Sequence, residues 1–243
     1  MTTLAGPLVV IPTYQEAENI TAVLERVRRA VPGAHVLVVD DGSPDGTADL
    51  AEATASELGG IDVLRRSEKA GLGGAYRAGF AWGLARGATV LVEMDADLSH
   101  DPAALPSLIG PAQAGDQDLV IGSRYVPGGQ IPDWAWHRRM LSRWGNRYTS
   151  VALGMGVNDA TAGFRAYRAD LLEQLQLESV RADGYGFQIE MAYRAHRCGG
   201  RIMEVPISFS ERVRGTSKMS GAIVAEALLL VTWWAIRDRL LRR

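Results

Sequence analysis

Two carboxylates one residue apart, Asp95 and Asp97, carry the strongest chemical signal in this chain of 243 residues. They follow the β-forming run Val90-Leu91-Val92, and Glu93 and Asp101 stand close by in sequence. Carboxylates this crowded repel one another unless a cation sits among them, and hard oxygen ligands suit Mg2+ or Mn2+. An isolated Asp-x-Asp also describes a solvated acidic loop, so position has to decide. The run predicts a short strand delivering both residues at its carboxyl end, with Pro102 suited to the first turn of a following helix. In open sheets with helices between the strands, ligands collect at that end. A second acidic turn, Asp40-Asp41-Gly42-Ser43-Pro44-Asp45-Gly46-Thr47, closes another apolar run over 35–39. A basic, glycine-bearing stretch, Arg212-Val213-Arg214-Gly215-Thr216-Ser217-Lys218, stands late in the chain.

The elements that must position these residues alternate. Apolar runs predict strands over 8–11 (closed by Pro12), 35–39, 61–64, from Val90, and over 119–122. Between them, Ile20, Val23, Leu24, Val27 and Val31 set a helical spacing over 19–31, and helices are expected over 47–58, from about 75 to 86, and over 102–114. Five such β and α units argue for a largely parallel sheet with helices on both faces. Residues 124–137 are rich in Gly, Pro and Trp and read as a long functional loop. A helix from His137 carries Met140, Trp144, Tyr148 and Val151 on one face, with Arg139, Arg143 and Arg147 as the adjoining stripe. That pattern suits a membrane interface, and equally an ordinary surface with snorkelling arginines. A strand over 162–167, a helix over 187–197 and a strand over 201–209 broken by Pro206 follow. Residues 222–236 are nearly all apolar apart from Glu226, then basic at Arg237 and Arg239. This stretch falls short of the roughly 20 apolar residues of a span. An interfacial helix anchored by Trp233 and Trp234 fits it, as does a helix packed on the core or on a second subunit.

Bulk properties narrow the field. The length suits one α/β domain over 1–218 with a C-terminal amphipathic helix over 219–243. A formal charge of −2 leaves no electrostatic footprint for nucleic acid. Cys198 is the sole cysteine, which excludes an intrachain disulfide and a thiolate metal cluster and fits a reducing compartment. The first residues have neither basic charge nor an apolar core of their own, so the expected location is the cytoplasmic side.

Five motifs taken in order extend the argument: residues 11–20 (Ile-Pro-Thr-Tyr-Gln-Glu-Ala-Glu-Asn-Ile), residues 39–47, Gly71-Leu72-Gly73-Gly74-Ala75, Met94-Asp95-Ala96-Asp97, and Gly122-Ser123-Arg124-Tyr125. Together they resemble the family-2 glycosyltransferases of GT-A fold, and within that group the polyprenol (dolichol) phosphate mannose synthases, over about residues 8–218. The resemblance implies GDP-mannose as donor, a polyprenyl monophosphate as acceptor, inversion at the anomeric carbon and a divalent metal, Mg2+ or Mn2+. It assigns Pro12, Tyr14, Glu16 and Asp41 to the base and ribose, and Asp95 and Asp97 to the metal that bridges the diphosphate. It gives Arg124, Arg138 and Ser142 to the acceptor phosphate, and Arg212 and Lys218 to a loop closing over the donor. Gln15 stands where the family usually has Asn, and Ser99 where a Gln able to join the metal shell is common. The Gln-x-x-Arg-Trp signature of processive relatives is absent after Gln188, so one sugar per acceptor is expected.

Elementary chemistry agrees with these assignments. Cleaving a sugar-diphosphate bond leaves a dianionic nucleotide, whose charge a metal on Asp95 and Asp97 would stabilise, with Arg212 and Lys218 adding to it. A phosphate monoester, with its second pKa near 6, is mostly dianionic at pH 7 and needs positioning rather than a general base. Arginine is suited to that, since its planar fork pairs with phosphate. Glu190 stands where related inverting enzymes acting on sugar hydroxyls place a carboxylate base. Here it is expected to orient loop residues. A polyprenyl acceptor keeps its tail in the bilayer, which gives the helix near 137–151 and the tail after Ala222 a membrane surface to meet, with room for a membrane protein partner. Two other readings remain: a sister enzyme using UDP-glucose, and a non-catalytic nucleotide-sugar-binding scaffold.

Overall fold

In the computed structural model, which describes residues 3–68, 71–211 and 221–241, each apolar run of the first half becomes a strand, buried except at the sheet edge over 61–65. Strands β1 (Pro7–Thr13), β2 (His35–Asp40), β3 (Ile61–Arg65) and β4 (Val90–Glu93) are parallel, and helices α1 (Ile20–Ala30), α2 (Thr47–Leu58) and α3 (Gly71–Leu84) connect them. Side chains alternate across the sheet. Val9, Ile11, Val36, Val38, Val90 and Val92 face one core, while Leu8, Val10, Leu37, Val39 and Leu91 face the other. β1 continues through Pro12, past the expected stop at residue 11. Pairing with β4 has already ended at Val10↔Glu93, so the ladder tolerates a proline there.

The sheet has seven strands in the order β3-β2-β1-β4-β6-β5-β7, with β5 (Leu119–Ser123), β6 (Arg165–Arg168) and β7 (Ile202–Pro206) completing it. It is mostly parallel but mixed: β6 runs antiparallel to both β4 and β5. Because Arg165 opposes both Glu93 and Ile121, β6 begins where β4 ends and two residues short of the end of β5. The loop before it therefore lands at the carboxyl edge of the sheet, beside Asp95.

Helix α3 starts at Gly71, not near residue 75. Two glycines within the expected helix, Gly79 and Gly83, are a condition of close approach. A Cβ on Gly79 would lie 2.4 Å from Val10 Cγ1, and one on Gly83 would lie 2.4 Å from Leu8 Cδ2. The helix rides so low on β1 that only glycine fits. Asp101 caps a short 3-10 turn, Pro102–Ala104, by accepting from the Ala103 amide at 3.0 Å, and α4 (Leu105–Gln113) follows. The remaining helices are α5 (Trp136–Leu153), α6 (Ala169–Gln174), α7 (Gly184–Arg197) and α8 (Gly221–Leu241). α6 has no counterpart in the sequence reading.

Helix α5 buries only a narrow strip and leaves Arg139, Arg143 and Arg147 outside along with most of its apolar residues. Asn146, Thr149 and Leu153 are its buried residues, while Trp136, Met140, Leu141, Trp144 and Val151 are exposed. α8 packs beside it, joined by a 2.7 Å hydrogen bond between the Tyr148 and Thr232 hydroxyls. Ala227, Val231 and Trp234 of α8 enter the same core as α3 and α7, and Leu229, Trp233, Ile236 and Leu240 face out.

Candidate active site

The carboxyl ends of β1, β2, β4 and β5 open into a cleft of about 500 Å³ lined by Pro12, Tyr14, Glu16, Asp41, Asp95, Asp97, Arg124 and Arg138, among others. Eight of the residues singled out by the sequence thus share one space. At one end, the loop after β1 is stitched to the turn after β2. Gln15 and Glu16 donate backbone N–H groups to Ser43 Oγ (3.0 Å) and Thr47 Oγ1 (2.9 Å). Asp40 accepts from Thr13 Oγ1 at 2.9 Å and from Ser43 Oγ at 2.6 Å, so it builds the wall rather than facing the cleft. Asp41 faces the cleft, held by Arg66 Nη1 at 2.8 Å. Gln15 adopts a φ of 60°, a region that Asn enters more readily than Gln, which accounts for the residue it replaces in the resembling family.

In the loop after β4, Asp95 Oδ1 accepts from the Tyr76 hydroxyl at 3.3 Å, and Asp97 Oδ1 accepts from the Ser99 amide at 3.0 Å. Ser99 Oγ is buried among these groups, with no partner among the described residues. No three His, Cys, Asp or Glu gather as a metal cage among the described residues. A pair of carboxylates, an orphaned hydroxyl and open space beside them fit a hard cation that keeps its waters and takes phosphate oxygens from a substrate, as Mg2+ does. His100 closes the loop, stacked on Phe164 at 4.9 Å with its Nδ1 3.4 Å from the Asp95 amide nitrogen. Burial holds its pKa down to about 4, so the ring is neutral and can accept that N–H. Beneath, Glu93 is fully buried, and burial pushes its carboxyl up to about 7 against the pull of Arg165.

At the opposite end stand the residues expected to clamp a phosphate. Arg124 does not present a free fork. Its Nε and Nη2 each donate to Asp159 at 2.7 Å, and Nη2 also reaches Thr161 Oγ1 at 2.9 Å. Asp159 takes the Arg124 backbone N–H as well, at 3.0 Å, so the pair locks the turn after β5. The Ser142 hydroxyl accepts from Tyr125 at 2.6 Å, which commits it to holding that turn to α5. Arg138 is the more available cation. It lies 3.9 Å over the Trp134 ring with Nη1 3.1 Å from Glu211, in a pair whose carboxylate is half exposed. From this end a narrow groove of about 90 Å³ runs between α5 and α8, walled by Leu141, Gly145, Ile189, Ala227 and Leu228. Arg212 and Lys218 lie outside the described residues.

Glu190 is not among the residues lining the cleft. Its Oε1 accepts from Arg194 Nε (2.9 Å) and Nη2 (2.6 Å), and Oε2 from the Ala182 amide at 3.3 Å, so it holds the loop leading into α7. Sequence reasoning missed Asp159, Thr161, Trp134, Asp183 and Gln188. Asp183 accepts the Gly73 N–H at 2.7 Å, tying α7 to the start of α3. Asp159 and Thr161 stand in an irregular polar stretch whose only signal was its place before a strand. Gln188 is a polar residue at a buried helix position, which no periodicity marks.

Comparison with known proteins bears on the whole cleft. The profile of the family described as Glycosyl transferase family 2 matches residues 8–176. The chain is 52% identical over 234 residues to the polyprenol monophosphomannose synthase of Mycolicibacterium smegmatis, covering 96% of this chain and 88% of that protein. It is 53% identical over 232 residues to the undecaprenyl-phosphate mannosyltransferase of Micrococcus luteus, covering 96% and 95%. Among solved structures, a glucosyl-3-phosphoglycerate synthase from Mycobacterium tuberculosis, determined with Mn2+, uridine-diphosphate-glucose and phosphoglyceric acid, superposes with a TM-score of 0.72 at 21% identity, over 95% of this chain and 80% of that one. That likeness is one of fold.

Proposed function

The chain belongs to glycosyl transferase family 2, and from that premise we infer that it transfers mannose from GDP-mannose to a polyprenyl monophosphate, releasing GDP. It is a glycosyltransferase of GT-A-like α/β fold, and mannose transfer to a polyprenyl phosphate follows from two relatives that share half its residues over nearly its whole length. The single observation that carries the reading is a continuity of space. The cleft holding Asp95 and Asp97 shares Arg124, Trp134 and Arg138 with the apolar groove between α5 and α8. One ligand with a phosphate head and a hydrocarbon tail matches that junction; a sugar hydroxyl acceptor does not.

Asp95 and Asp97, with Ser99 beside them, hold the divalent metal, Mg2+ or Mn2+, which when bound supplies Lewis-acid stabilisation of the leaving diphosphate. Tyr14, Glu16 and Asp41 receive the nucleoside at the far wall. Arg138, stacked on Trp134, meets the acceptor phosphate, and Arg124 acts by fixing the floor under it. The phosphate oxygen attacks the anomeric carbon from the side opposite the diphosphate, so configuration inverts, and no proton has to be removed first. The outward apolar faces of α5 and α8 rest on the cytoplasmic face of the membrane. Among the described residues no helix is long and apolar enough to cross it.

The test is sugar transfer into an organic-extractable lipid by purified protein, a polyprenyl phosphate and labelled GDP-mannose or UDP-glucose, with Mg2+, Mn2+ or chelator. Labelling from GDP-mannose that chelator abolishes and Asp97→Asn nearly eliminates is the expected result. Labelling from UDP-glucose alone overturns the donor, and donor binding without transfer from either sugar overturns the enzyme.

A further inference from the structure

Gln188, on the first half of α7, lines the cleft and is 2% exposed. Its side-chain amide lies close enough to the buried Glu93 carboxyl to draw that group's pKa down against the effect of burial, yet neither amide atom makes a well-formed hydrogen bond among the described residues. Its position is fixed from behind, since its backbone carbonyl accepts from Arg165 Nη1 at 2.7 Å. A Cβ placed on Gly163 would lie 3.5 Å from Gln188 Nε2 and 3.9 Å from both carboxylate oxygens of Asp95. The amide and the Asp95 carboxylate therefore border one small space, left open because residue 163 has no side chain. Buried amides in folded proteins are almost always fully paired, and Glu93 can engage only one atom of this one, so a polar group entering from the cleft that Gln188 lines completes the set.

The chemistry of that partner can be narrowed. An amide donates and accepts at once, as a hydroxyl does, whereas a phosphate presents only acceptors. The space adjoins the carboxylate that faces the diphosphate, and so lies at the reacting end of the donor. We propose that Gln188 is a specificity-determining residue whose amide hydrogen-bonds a ring hydroxyl of the hexose being transferred, in the gap kept by Gly163. This rests on reading the cleft as a sugar-nucleotide site.

The experiment pairs enzyme variants with donor variants. Wild type, Gln188→Met and Gly163→Ala are assayed for kcat and KM with GDP-mannose and with its 2-, 3-, 4- and 6-deoxy forms, and GDP binding is measured separately. Wild type is expected to discriminate against one deoxy donor by on the order of 10- to 100-fold in kcat/KM. Gln188→Met is expected to lose about as much with GDP-mannose and little further with that one deoxy donor, at unchanged GDP affinity. Gly163→Ala, whose added methyl meets neighbours at ordinary contact distances, keeps the fold and should raise KM for the sugar donor alone. If both variants lower kcat/KM by the same factor for all five donors, the residues only support the fold and the proposal falls. Failure of the broader reading would look different: wild type would take another nucleotide sugar, and that donor's deoxy forms would decide the question in the same way.

Discussion

Asp159→Ala leaves the Arg124 guanidinium, 5% exposed, facing no carboxylate. Breaking one half of a buried pair destabilises by about 3–5 kcal/mol. Denaturant unfolding should show a fall of that size, and a loss of activity that tracks unfolding. A drop in activity with stability unchanged would instead make Arg124 a direct phosphate ligand. Glu190→Gln separates two chemistries. Its carboxylate is bound to Arg194 and the Ala182 amide, away from the cleft, so kcat should fall by less than about tenfold, whereas removing a general base costs about 10²- to 10⁴-fold. A dead variant that still binds donor and acceptor would show that a base is needed. At this scale, Asp41, Asp95 and Asp97 were legible in the sequence because turn chemistry and residue spacing are local. The pairing of Arg124 with Asp159 was not, because the two stand 35 residues apart along the chain.

Among the elements, α3 and α5 show what patterning can and cannot convey. The run Gly71 to Gly74 precedes the helix expected from sequence, since helix propensity disfavours glycine, while Gly79 and Gly83 fall inside it with nothing in the pattern to show that contact with Val10 and Leu8 excludes anything larger. Gly79→Ala gains propensity and meets Val10 Cγ1 at 2.4 Å, so it should destabilise by about 1–3 kcal/mol in denaturant unfolding. An unchanged midpoint would mean that the helix can lift off the strand freely. The periodicity of α5 was visible, but an amphipathic pattern does not say which face points inward. Here the answer depends on Asn146, which donates to Thr161 Oγ1 at 3.2 Å and accepts from the Thr161 amide at 3.2 Å. The alternation of β and α units gave the parallel half of the sheet, while the reversal at β6 depends on a return path from α5 that carries no local signal.

For the whole molecule, α5 and α8 are packed side by side and each leaves at least one tryptophan outside, the arrangement behind the proposed membrane contact. Each fully buried large apolar side chain is worth about 1.5–3 kcal/mol, so Trp144→Ser and Trp233→Ser should each weaken vesicle binding by about tenfold or more. Transfer to a short, water-soluble acceptor phosphate should be unaffected. Equal loss with both acceptors would place these tryptophans in the fold rather than at the lipid. Since α8 buries Ala227, Val231 and Trp234 in the core while its other side faces out, the helix proposed to rest on lipid is also packed against the catalytic domain. An enzyme held that way searches for its two substrates in spaces of different dimension, the sugar nucleotide in bulk water and the lipid phosphate within a sheet. Its velocity should therefore follow the mole fraction of acceptor in the vesicle, falling on dilution with inert lipid even when the amount of acceptor per millilitre is held constant.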